Sequence, residues 1–331
     1  MLAGGDSRLT LLPALGGKIA SLQMAGREWL WTSDVIAPRE ADDAMRADDD
    51  VSYVLLADSG GYDECFPTVG ACTLSAAADT FAGLRLPDHG ELWSQRPHTV
   101  TTHDGACDVA TCVWTGRRMP YTVERAARVH PDGRVELRYA AENHGPTPLP
   151  FLWSSHPLLP LTPSTRLCLP AGAELRVDAT HGAAVAGAMR GAWPRVTTVH
   201  GDVDLSRPAA AGDGYACKLF VALPREPVVV AVEEAGTRLE VAIDGRELTH
   251  VGLWINNGGW TPFADGRAYH NLAFEPCIGA PDSLARALDV WDAAAWLAPG
   301  EQRSWTLAWR GVAQSPAATG SSDAPSAASQ T

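Results

Sequence analysis

Short stretches in which apolar and polar residues alternate run through most of the chain. YTVERAARV (121–129) and RVELRYAAE (134–142) show a two-residue period, and the HPDG between them supplies Pro and Asp-Gly for a turn. This combination predicts a β-hairpin. Further strands are predicted at ACTLSAAA (71–78), CDVATCVW (107–114), AELRVDA (173–179), YACKLFVAL (215–223), VVVAVEEA (228–235), TRLEVAI (237–243), HVGLWIN (250–256) and SWTLAWRGV (304–312).

The pattern does not show strands that alternate with amphipathic helices of about 10 to 15 residues, which argues against a parallel α/β fold. The 31 glycines and 24 prolines supply many turns. Such a composition is typical of a multi-stranded antiparallel architecture. We therefore predict an all-β fold of many antiparallel strands with few short helices.

Two segments depart from the strand pattern. PREADDAMRADDDV (38–51) is acidic and is expected to hold a short helix or a solvated excursion, with a lid over a binding site as the less favoured interpretation. PDSLARALDVW (281–291) begins with Pro281 and Asp282. This start predicts a helix with Asp282 as its N-cap.

The chain of 331 residues shows no internal repeat and no linker before its last residues. Residues 1–312 are therefore expected to form a single domain. The remaining segment, AQSPAATGSSDAPSAASQT (313–331), is small, polar and interrupted by proline. This composition predicts a disordered tail.

Composition and charge narrow the class of protein. The 39 acidic and 26 basic residues give a net charge of −13, which disfavours nucleic acid as a partner. No apolar run approaches the roughly 18 residues of a membrane helix, and the first residues lack the features of a signal peptide. The seven cysteines are scattered without a CxxC pair, as expected for reduced thiols. We therefore expect a cytoplasmic protein, either a monomer or a homodimer.

Titratable and aromatic side chains gather in four segments where Gly or Pro interrupts the strand pattern: 60–70, 86–93, 151–159 and 253–284. Flat aromatic rings beside hydrogen-bonding groups suit a sugar, which has apolar faces and a rim of hydroxyls. We therefore expect a small-molecule sugar as substrate. The candidate residues for contact with it are Asp63, Glu64, Glu91, Trp93, Trp153, Trp254, Asn256 and Asn257.

His156 in FLWSSHPLL and Glu275 in LAFEPCIG are the main candidates for chemistry. A single histidine in an apolar strand is ordinarily a hydrogen-bonded core residue. A carboxylate between Phe274 and Pro276 is costly to bury unless it is paired or functional. Taken together, the two residues favour an acid–base pair in a pocket over two core residues.

In their order along the chain, the four segments resemble the aldose 1-epimerase (galactose mutarotase-like) superfamily. LPDHGELW resembles its His-Gly motif, SSHPLL the stretch with its catalytic acid, and FEPCIGAPDSL the late segment with its catalytic base. The resemblance implies a β-supersandwich that interconverts the α and β anomers of an aldose. It also implies that Glu275 is the base at O1, that His156 is the acid at the ring oxygen, and that His89 assists. No metal or organic cofactor is implied.

The chain departs from the superfamily where many members use an Asn-Arg pair to bind sugar hydroxyls. The matching segment here is YDECFPTVG, without arginine, and LWINNGGW offers asparagines where many members have an acid. The identity of the sugar is therefore left open. Three alternatives remain: a sugar-binding protein without turnover, a hexose-6-phosphate mutarotase, and a glycoside hydrolase that uses two carboxylates. The residues they would involve are Arg85, Arg96, Arg117 and Arg118 for the phosphate, and Glu275 with Glu64 or Glu91 for hydrolysis.

Overall fold

The computed structural model describes residues 1–42, 50–211, 214–266 and 270–314. Within these residues the chain forms 25 β-strands. In chain order they are β1 (Leu2–Gly4), β2 (Ser7–Leu12), β3 (Lys18–Met24), β4 (Arg27–Glu28), β5 (Tyr62–Cys65), β6 (Cys72–Thr73), β7 (Arg85–Leu86), β8 (His98–His103), β9 (Asp108–Thr115), β10 (Tyr121–Val129), β11 (Val135–Asn143), β12 (Leu149–Phe151), β13 (Trp153–Leu159), β14 (Arg166–Cys168), β15 (Glu174–His181), β16 (Arg190–Ala192), β17 (Arg195–Thr198), β18 (Gly201–Asp204), β19 (Tyr215–Ala222), β20 (Pro227–Glu234), β21 (Thr237–Asp244), β22 (His250–Asn257), β23 (His270–Ile278), β24 (Ala295–Leu297) and β25 (Gln302–Ala313).

Helical segments are short throughout the described residues. The α-helices are α1 (Tyr53–Leu56) and α2 (Leu284–Arg286), and α2 continues into a wider π-type turn, Ala287–Trp291. The 3-10 segments are Ala76–Phe81, Ala183–Val185 and Pro208–Ala211. No helix in the described part of the chain is long and apolar enough to cross a membrane.

Two large antiparallel sheets make up the body of the fold. One has thirteen strands in the order β1-β2-β3-β5-β13-β23-β22-β19-β15-β16-β17-β18, with β4 paired to β3. The other has eight strands in the order β14-β20-β21-β25-β11-β10-β9-β8. Two small ladders, β12 with β24 and β6 with β7, lie outside them. The all-β antiparallel sandwich predicted from the sequence is therefore confirmed.

The two large sheets pack face to face around one extensive apolar core. Strand β10 illustrates the reason, since every second residue from Tyr121 to Val129 is buried while the residues that alternate with them are partly or fully exposed. Such alternation gives each strand one apolar face to turn toward the other sheet. Across the interface, the hydroxyls of Tyr62 in β5 and Tyr139 in β11 lie 3.0 Å apart.

Most of the strand predictions are confirmed, including the hairpin of β10 and β11, whose register runs from Tyr121 opposite Asn143 to Val129 opposite Val135. The prediction of one strand over residues 71–78 is wrong. Only Cys72–Thr73 is extended there, and the chain then enters a 3-10 segment. The physical reason is that alanine favours helix and that Ser75 caps the segment, because its hydroxyl accepts a hydrogen bond from the Ala77 amide.

The predicted N-cap of α2 also needs correction. Ser283 occupies that position, and its hydroxyl accepts a hydrogen bond from the backbone N–H of Arg286. The carboxylate of Asp282 instead lies 3.1 Å from the Lys218 ammonium. An ion pair with a buried ammonium is worth more to the half-buried Asp282 than a cap on a helix of one turn.

Two further predictions fall partly outside the described residues. In the acidic segment 38–51, residues 43–49 lie outside them, and α1 begins shortly afterwards at Tyr53. The predicted tail starts at Ala313, which is the last residue of β25, and the Gln314 amide still donates to the Gly236 carbonyl at 2.8 Å. The rest of the predicted tail, 315–331, lies outside the described residues.

Candidate active site

Five adjacent strands of the thirteen-stranded sheet, in the order β5, β13, β23, β22 and β19, carry the candidate site. Phe274 in β23 and Leu219 in β19 belong to the core between the sheets. Because successive side chains of a strand point to opposite faces, the neighbouring Glu275 and Lys218 point away from that core. The titratable groups of the site therefore lie on the outer face of the large sheet.

A cavity of about 150 Å³ lies on this outer face. On this measure one water occupies roughly 10 to 15 Å³, so the cavity suits a ligand about the size of one sugar ring. Its lining residues are Val54, Asp58, Val69, His89, His156, Leu158, Lys218, Trp254, Trp260, Asn271 and Asp282.

His156 and Glu275 form a hydrogen-bonded pair at the wall of the cavity. The Nδ1 atom of His156 lies 2.6 Å from Oε1 of Glu275, and both side chains are buried. An ionised carboxylate only accepts hydrogen bonds, so Nδ1 carries the proton in this pair. Gly252 lies opposite Glu275 in the sheet, and a Cβ at Gly252 would lie 2.6 Å from Oε2 of Glu275. The absence of a side chain at position 252 therefore makes room for the carboxylate.

Lys218 joins Glu275 to Asp282. Its ammonium contacts the Glu275 carboxylate and lies 3.1 Å from Oδ1 of Asp282. Burial alone would raise the pKa of Glu275, but the Lys218 charge and the hydrogen bond from His156 outweigh burial and lower it. Burial would lower the pKa of Lys218, and the two carboxylates raise it instead. Glu275 is therefore ionised and Lys218 protonated at neutral pH.

The DHG segment brings His89 next to His156. The ring centroids of the two histidines are 5.0 Å apart, and His89 stacks on Tyr53 of α1 with centroids 4.1 Å apart. His89 has a φ of +58°, which is uncommon for a residue with a side chain, and Gly90 has a φ of +69°. A Cβ at Gly90 would lie 2.3 Å from the Phe66 carbonyl oxygen. A tight turn that needs glycine thus fixes the direction of the His89 ring.

Asp88 holds this arrangement through both carboxylate oxygens. Oδ1 lies 2.9 Å from Nδ1 of His89, and Oδ2 accepts the backbone N–H of Tyr53 at 3.0 Å. Burial would lower the pKa of His89, but the neighbouring Asp88 charge outweighs burial and raises it. The imidazolium form of His89 is therefore favoured at the edge of the cavity.

Two tryptophans form the other end of the cavity. The rings of Trp254 and Trp260 meet edge to face with centroids 5.5 Å apart, and the ring of His181 lies 6.4 Å from each. Asn256 supports this wall, because its Nδ2 donates to the Trp260 carbonyl at 2.8 Å. Asn271, in β23, completes the end of the cavity that the two tryptophans form.

The structure brings only some of the predicted residues to the cavity. His89, His156 and Trp254 line it, and Glu275 lies behind His156. Asp63 is also on the outer face, but it is buried and accepts hydrogen bonds from Lys18 and Tyr53. Three others are buried beside the site without lining it: Trp93, Asn256 and Asn257.

Glu64 and Trp153 require correction, since they face the core between the sheets. Oε1 of Glu64 lies 2.9 Å from Nη1 of Arg125 in the other sheet, and Nε1 of Trp153 donates to Oε2 of Glu64 at 3.1 Å. These contacts join the two sheets. They leave both residues on the wrong side of the large sheet for contact with a ligand in the cavity.

Glu91 also requires correction as a sugar-binding candidate. Its carboxylate is fully buried, 3.0 Å from Nη1 of Arg118, and accepts a hydrogen bond from the Tyr121 hydroxyl at 2.8 Å. Arg117 also approaches it, at 3.8 Å. Glu91 therefore anchors the loop that follows His89.

Sequence reasoning missed four polar residues that line the cavity: Asp58, Lys218, Asn271 and Asp282. A signal was present for Lys218, which interrupts the apolar run of YACKLFVAL just as His156 interrupts FLWSSHPLL. A charged residue inside a strand that is buried on both faces requires a partner or a ligand. Among the described residues, no group of three or more His, Cys, Asp or Glu side chains has the arrangement of a metal site.

No protein-family model matches the chain, and no curated protein sequence matches it significantly. Solved structures match it in fold over nearly its whole length. A candidate aldose 1-epimerase from Escherichia coli K12 is 17% identical, with a TM-score of 0.62 over 94% of this chain and 98% of that one. The galactose mutarotase related enzyme from Lactobacillus acidophilus is 13% identical, with a TM-score of 0.61 over 95% and 97%.

The Slr1438 protein from Synechocystis sp. PCC 6803 is 16% identical, with a TM-score of 0.64 over 95% of both chains. At such identities the likeness concerns the arrangement of the strands. The chain has the galactose mutarotase-like β-sandwich fold that its sequence predicts.

Proposed function

We propose that the chain is a cofactor-independent aldose 1-epimerase that interconverts the α and β anomers of a sugar. The observation that carries this proposal is the hydrogen-bonded pair of His156 and Glu275, 2.6 Å apart, at a cavity of about 150 Å³. Opening a hemiacetal requires a base for the O1 hydroxyl and an acid for the ring oxygen. Both oxygens are bonded to the same carbon, so the acid and the base that serve them must be close neighbours.

In this mechanism the hemiacetal enters between His156 and Glu275, and their mutual hydrogen bond gives way to bonds with the sugar. Glu275 takes the proton from O1 while His156 gives a proton to the ring oxygen. The bond between C1 and the ring oxygen breaks as the C1–O1 carbonyl forms. After rotation about the C1–C2 bond the two residues exchange roles, and the ring closes on the other face. No proton is gained or lost overall.

Two basic side chains adjoin the pair and suit this chemistry. Lys218 keeps Glu275 ionised, so the carboxylate is ready to accept a proton at neutral pH. Asp88 raises the pKa of His89 and so favours its cationic form, and the ring centroid of His89 lies 5.0 Å from that of His156. A positive charge there favours oxygen atoms that become more negative during ring opening.

The charges of the lining favour a sugar without phosphate. Besides histidine, the described lining residues include one basic side chain, Lys218, and two carboxylates already engage it. Three of the four arginines considered for a phosphate bind acids elsewhere: Arg85 pairs with Asp50, and Arg117 and Arg118 with Glu91. A phosphate in this cavity would meet Asp58 and Asp282, and the two basic side chains that it could reach, Lys218 and His89, already pair with carboxylates.

Exchange NMR spectroscopy on a panel of aldoses and their 6-phosphates tests the proposal. The protein should accelerate anomer exchange for at least one unphosphorylated aldose. Glu275→Gln should reduce that rate by roughly 10²- to 10⁴-fold, the usual contribution of a positioned acid or base. The matched control is Glu234→Gln. Glu234 is another buried glutamate, in β20 of the eight-stranded sheet, and its carboxylate accepts a hydrogen bond from the Thr165 hydroxyl.

Glu234→Gln should keep the wild-type rate. An equal rate in Glu275→Gln and wild type, on a sugar that the wild type turns over, would contradict the proposal. Loss of the rate in both variants would show that the measurement reports unfolding rather than chemistry. Circular dichroism of each variant separates that case.

A second candidate function is sugar binding without turnover, and one observation favours it. Both carboxylate oxygens of Glu275 are engaged, one by His156 and the other by Lys218, and the lowered pKa makes the carboxylate a weak base. A sugar that binds by calorimetry, with no acceleration of anomer exchange, would select this function. Glycoside hydrolysis with Glu64 or Glu91 lacks such support, because both carboxylates bind arginines away from the cavity.

A further inference from the structure

Asn271 is a buried polar side chain whose amide makes no hydrogen bond with the described residues. The residue is fully buried, and both Nδ2 and Oδ1 lack a hydrogen-bond partner. Buried polar atoms almost always find a partner, so each exception calls for an explanation. Asn271 lines the cavity, which is where a partner from outside the chain would lie.

Asn143 shows how the same fold treats a buried asparagine with a structural role. It is also fully buried, and its Nδ2 donates to the carbonyls of Thr147 and Leu297 at 2.8 and 3.0 Å. Its Oδ1 accepts the Gly145 amide at 2.8 Å. The side-chain amide of Asn143 therefore makes all its hydrogen bonds within the protein, whereas that of Asn271 makes none with the described residues.

The position of Asn271 relates it to the proposed reaction. It lies four residues before Glu275 in β23, which corresponds to about 13 Å along an extended strand. It lies opposite Asn256, whose side chain holds the Trp260 backbone, and Trp254 lies two residues before Asn256 in the same strand, opposite Ala273. A ring with its anomeric carbon at Glu275 would extend toward this end of the cavity.

We propose that Asn271 binds hydroxyl groups of the sugar at the end of the cavity remote from His156 and Glu275, and that it sets specificity there. A carboxamide both donates and accepts, as a pair of neighbouring hydroxyls does. Trp254 and Trp260 beside it offer apolar faces to the C–H groups of the same ring. A deoxy sugar would leave the buried amide unsatisfied, and sites of this kind reject such analogues strongly.

This inference rests on the proposed function, and two separate measurements keep them distinct. Calorimetry gives the affinity for each aldose in the panel and for the 3-deoxy, 4-deoxy and 6-deoxy analogues of the one that binds best. Exchange NMR spectroscopy of the same samples gives turnover. Sugar binding with hydroxyl selectivity but without turnover would overturn the proposed function and leave the inference standing.

The informative variant is Asn271→Leu, which replaces the amide with an apolar group of similar size. It should weaken binding of the parent sugar by about tenfold or more and abolish the preference over one deoxy analogue. Its melting temperature should equal or exceed that of the wild type, because the variant removes an unpaired buried amide. The control Asn143→Leu should do the opposite, with a lower melting temperature and unchanged selectivity.

Two results would overturn the inference. One is an Asn271→Leu variant that keeps the wild-type selectivity among all three deoxy analogues. The other is a variant that loses as much thermal stability as Asn143→Leu, which would assign Asn271 a structural role. A wild type that binds no sugar in the panel would overturn the inference and the proposed function together.

Discussion

At the scale of single residues, Lys218 determines the state in which Glu275 works. The two side chains are buried together, and Asp282 shares the same ammonium. The pair keeps Glu275 ionised far below neutral pH and at the same time makes it a weaker base than a buried carboxylate without a cation. Glu275 is therefore a weaker base, but its carboxylate stays ionised over a wide range of pH.

This balance predicts a shift in pH dependence for Lys218→Met. Without the ammonium, burial dominates and the pKa of Glu275 rises, so the base is lost at a higher pH. The acidic limb of kcat/KM for anomer exchange should therefore move upward by about one to three pH units. Rates measured from about pH 3 to pH 9 follow this limb, which in wild type lies at or below the acidic end of the range because Lys218 lowers the pKa of Glu275.

Lys18→Met is the matched control for that shift. Lys18 is also a buried lysine of the large sheet, but its ammonium binds Asp63 and it does not line the cavity. Its removal should lower stability and leave the acidic limb in place. An unchanged limb in Lys218→Met, in a variant that still folds, would show that Lys218 does not act on the catalytic base.

At the scale of elements, alternation along a strand decides which predicted residues reach the cavity. Asp63 and Glu64 are neighbours in β5, and all four residues of that strand are buried. The sequence shows that both acids are unusual, but it does not show which face of the strand packs against the other sheet. In the structure Glu64 faces Arg125 in the core, while Asp63 faces Lys18 and Tyr53 on the outer side.

The contact between Glu64 and Arg125 predicts a large effect on stability. Arg125→Met would leave the Glu64 carboxylate buried without its cation, which should reduce the free energy of unfolding by about 3–5 kcal/mol. Glu64→Gln in the same chain removes the charge and keeps an acceptor for Trp153. The double variant should therefore recover most of the loss, as measured by urea denaturation.

An exposed pair provides the comparison for this effect. Arg310 and Asp132 lie 3.1 Å apart with about half of each side chain accessible. Arg310→Met should change the free energy of unfolding by less than about 1 kcal/mol. If Arg125→Met were no more destabilising than Arg310→Met, the ion pair between the sheets would not be a support of the fold.

At the scale of the whole molecule, the fold was predictable from the sequence and much of the site was not. Local alternation and turn residues are enough to predict an all-β antiparallel fold, the family resemblance adds the sandwich, and the hairpin of β10 and β11 follows its sequence almost residue by residue. The site depends on contacts between distant segments. Lys218 meets Asp282 across 64 positions of the chain and Glu275 across 57, which no local pattern specifies.

Two further features could not be predicted, because they depend on contacts that form only in the folded chain. Asp282 has the sequence context of an N-cap, but a buried ammonium competes for it and Ser283 takes the cap instead. Asn271 gives no signal in the sequence, because its significance is the absence of hydrogen-bond partners among the described residues. Such features depend on three-dimensional neighbours alone.

The central claim is that His156 and Glu275 act as one unit on the anomeric centre. The most direct test is a double-mutant cycle in which anomer exchange is measured for wild type, Glu275→Gln, His156→Gln and the double variant. Residues that act as a unit give non-additive losses, so either single variant should lose nearly as much rate as the double. Losses that simply multiply, or a single variant with the wild-type rate, would contradict the account.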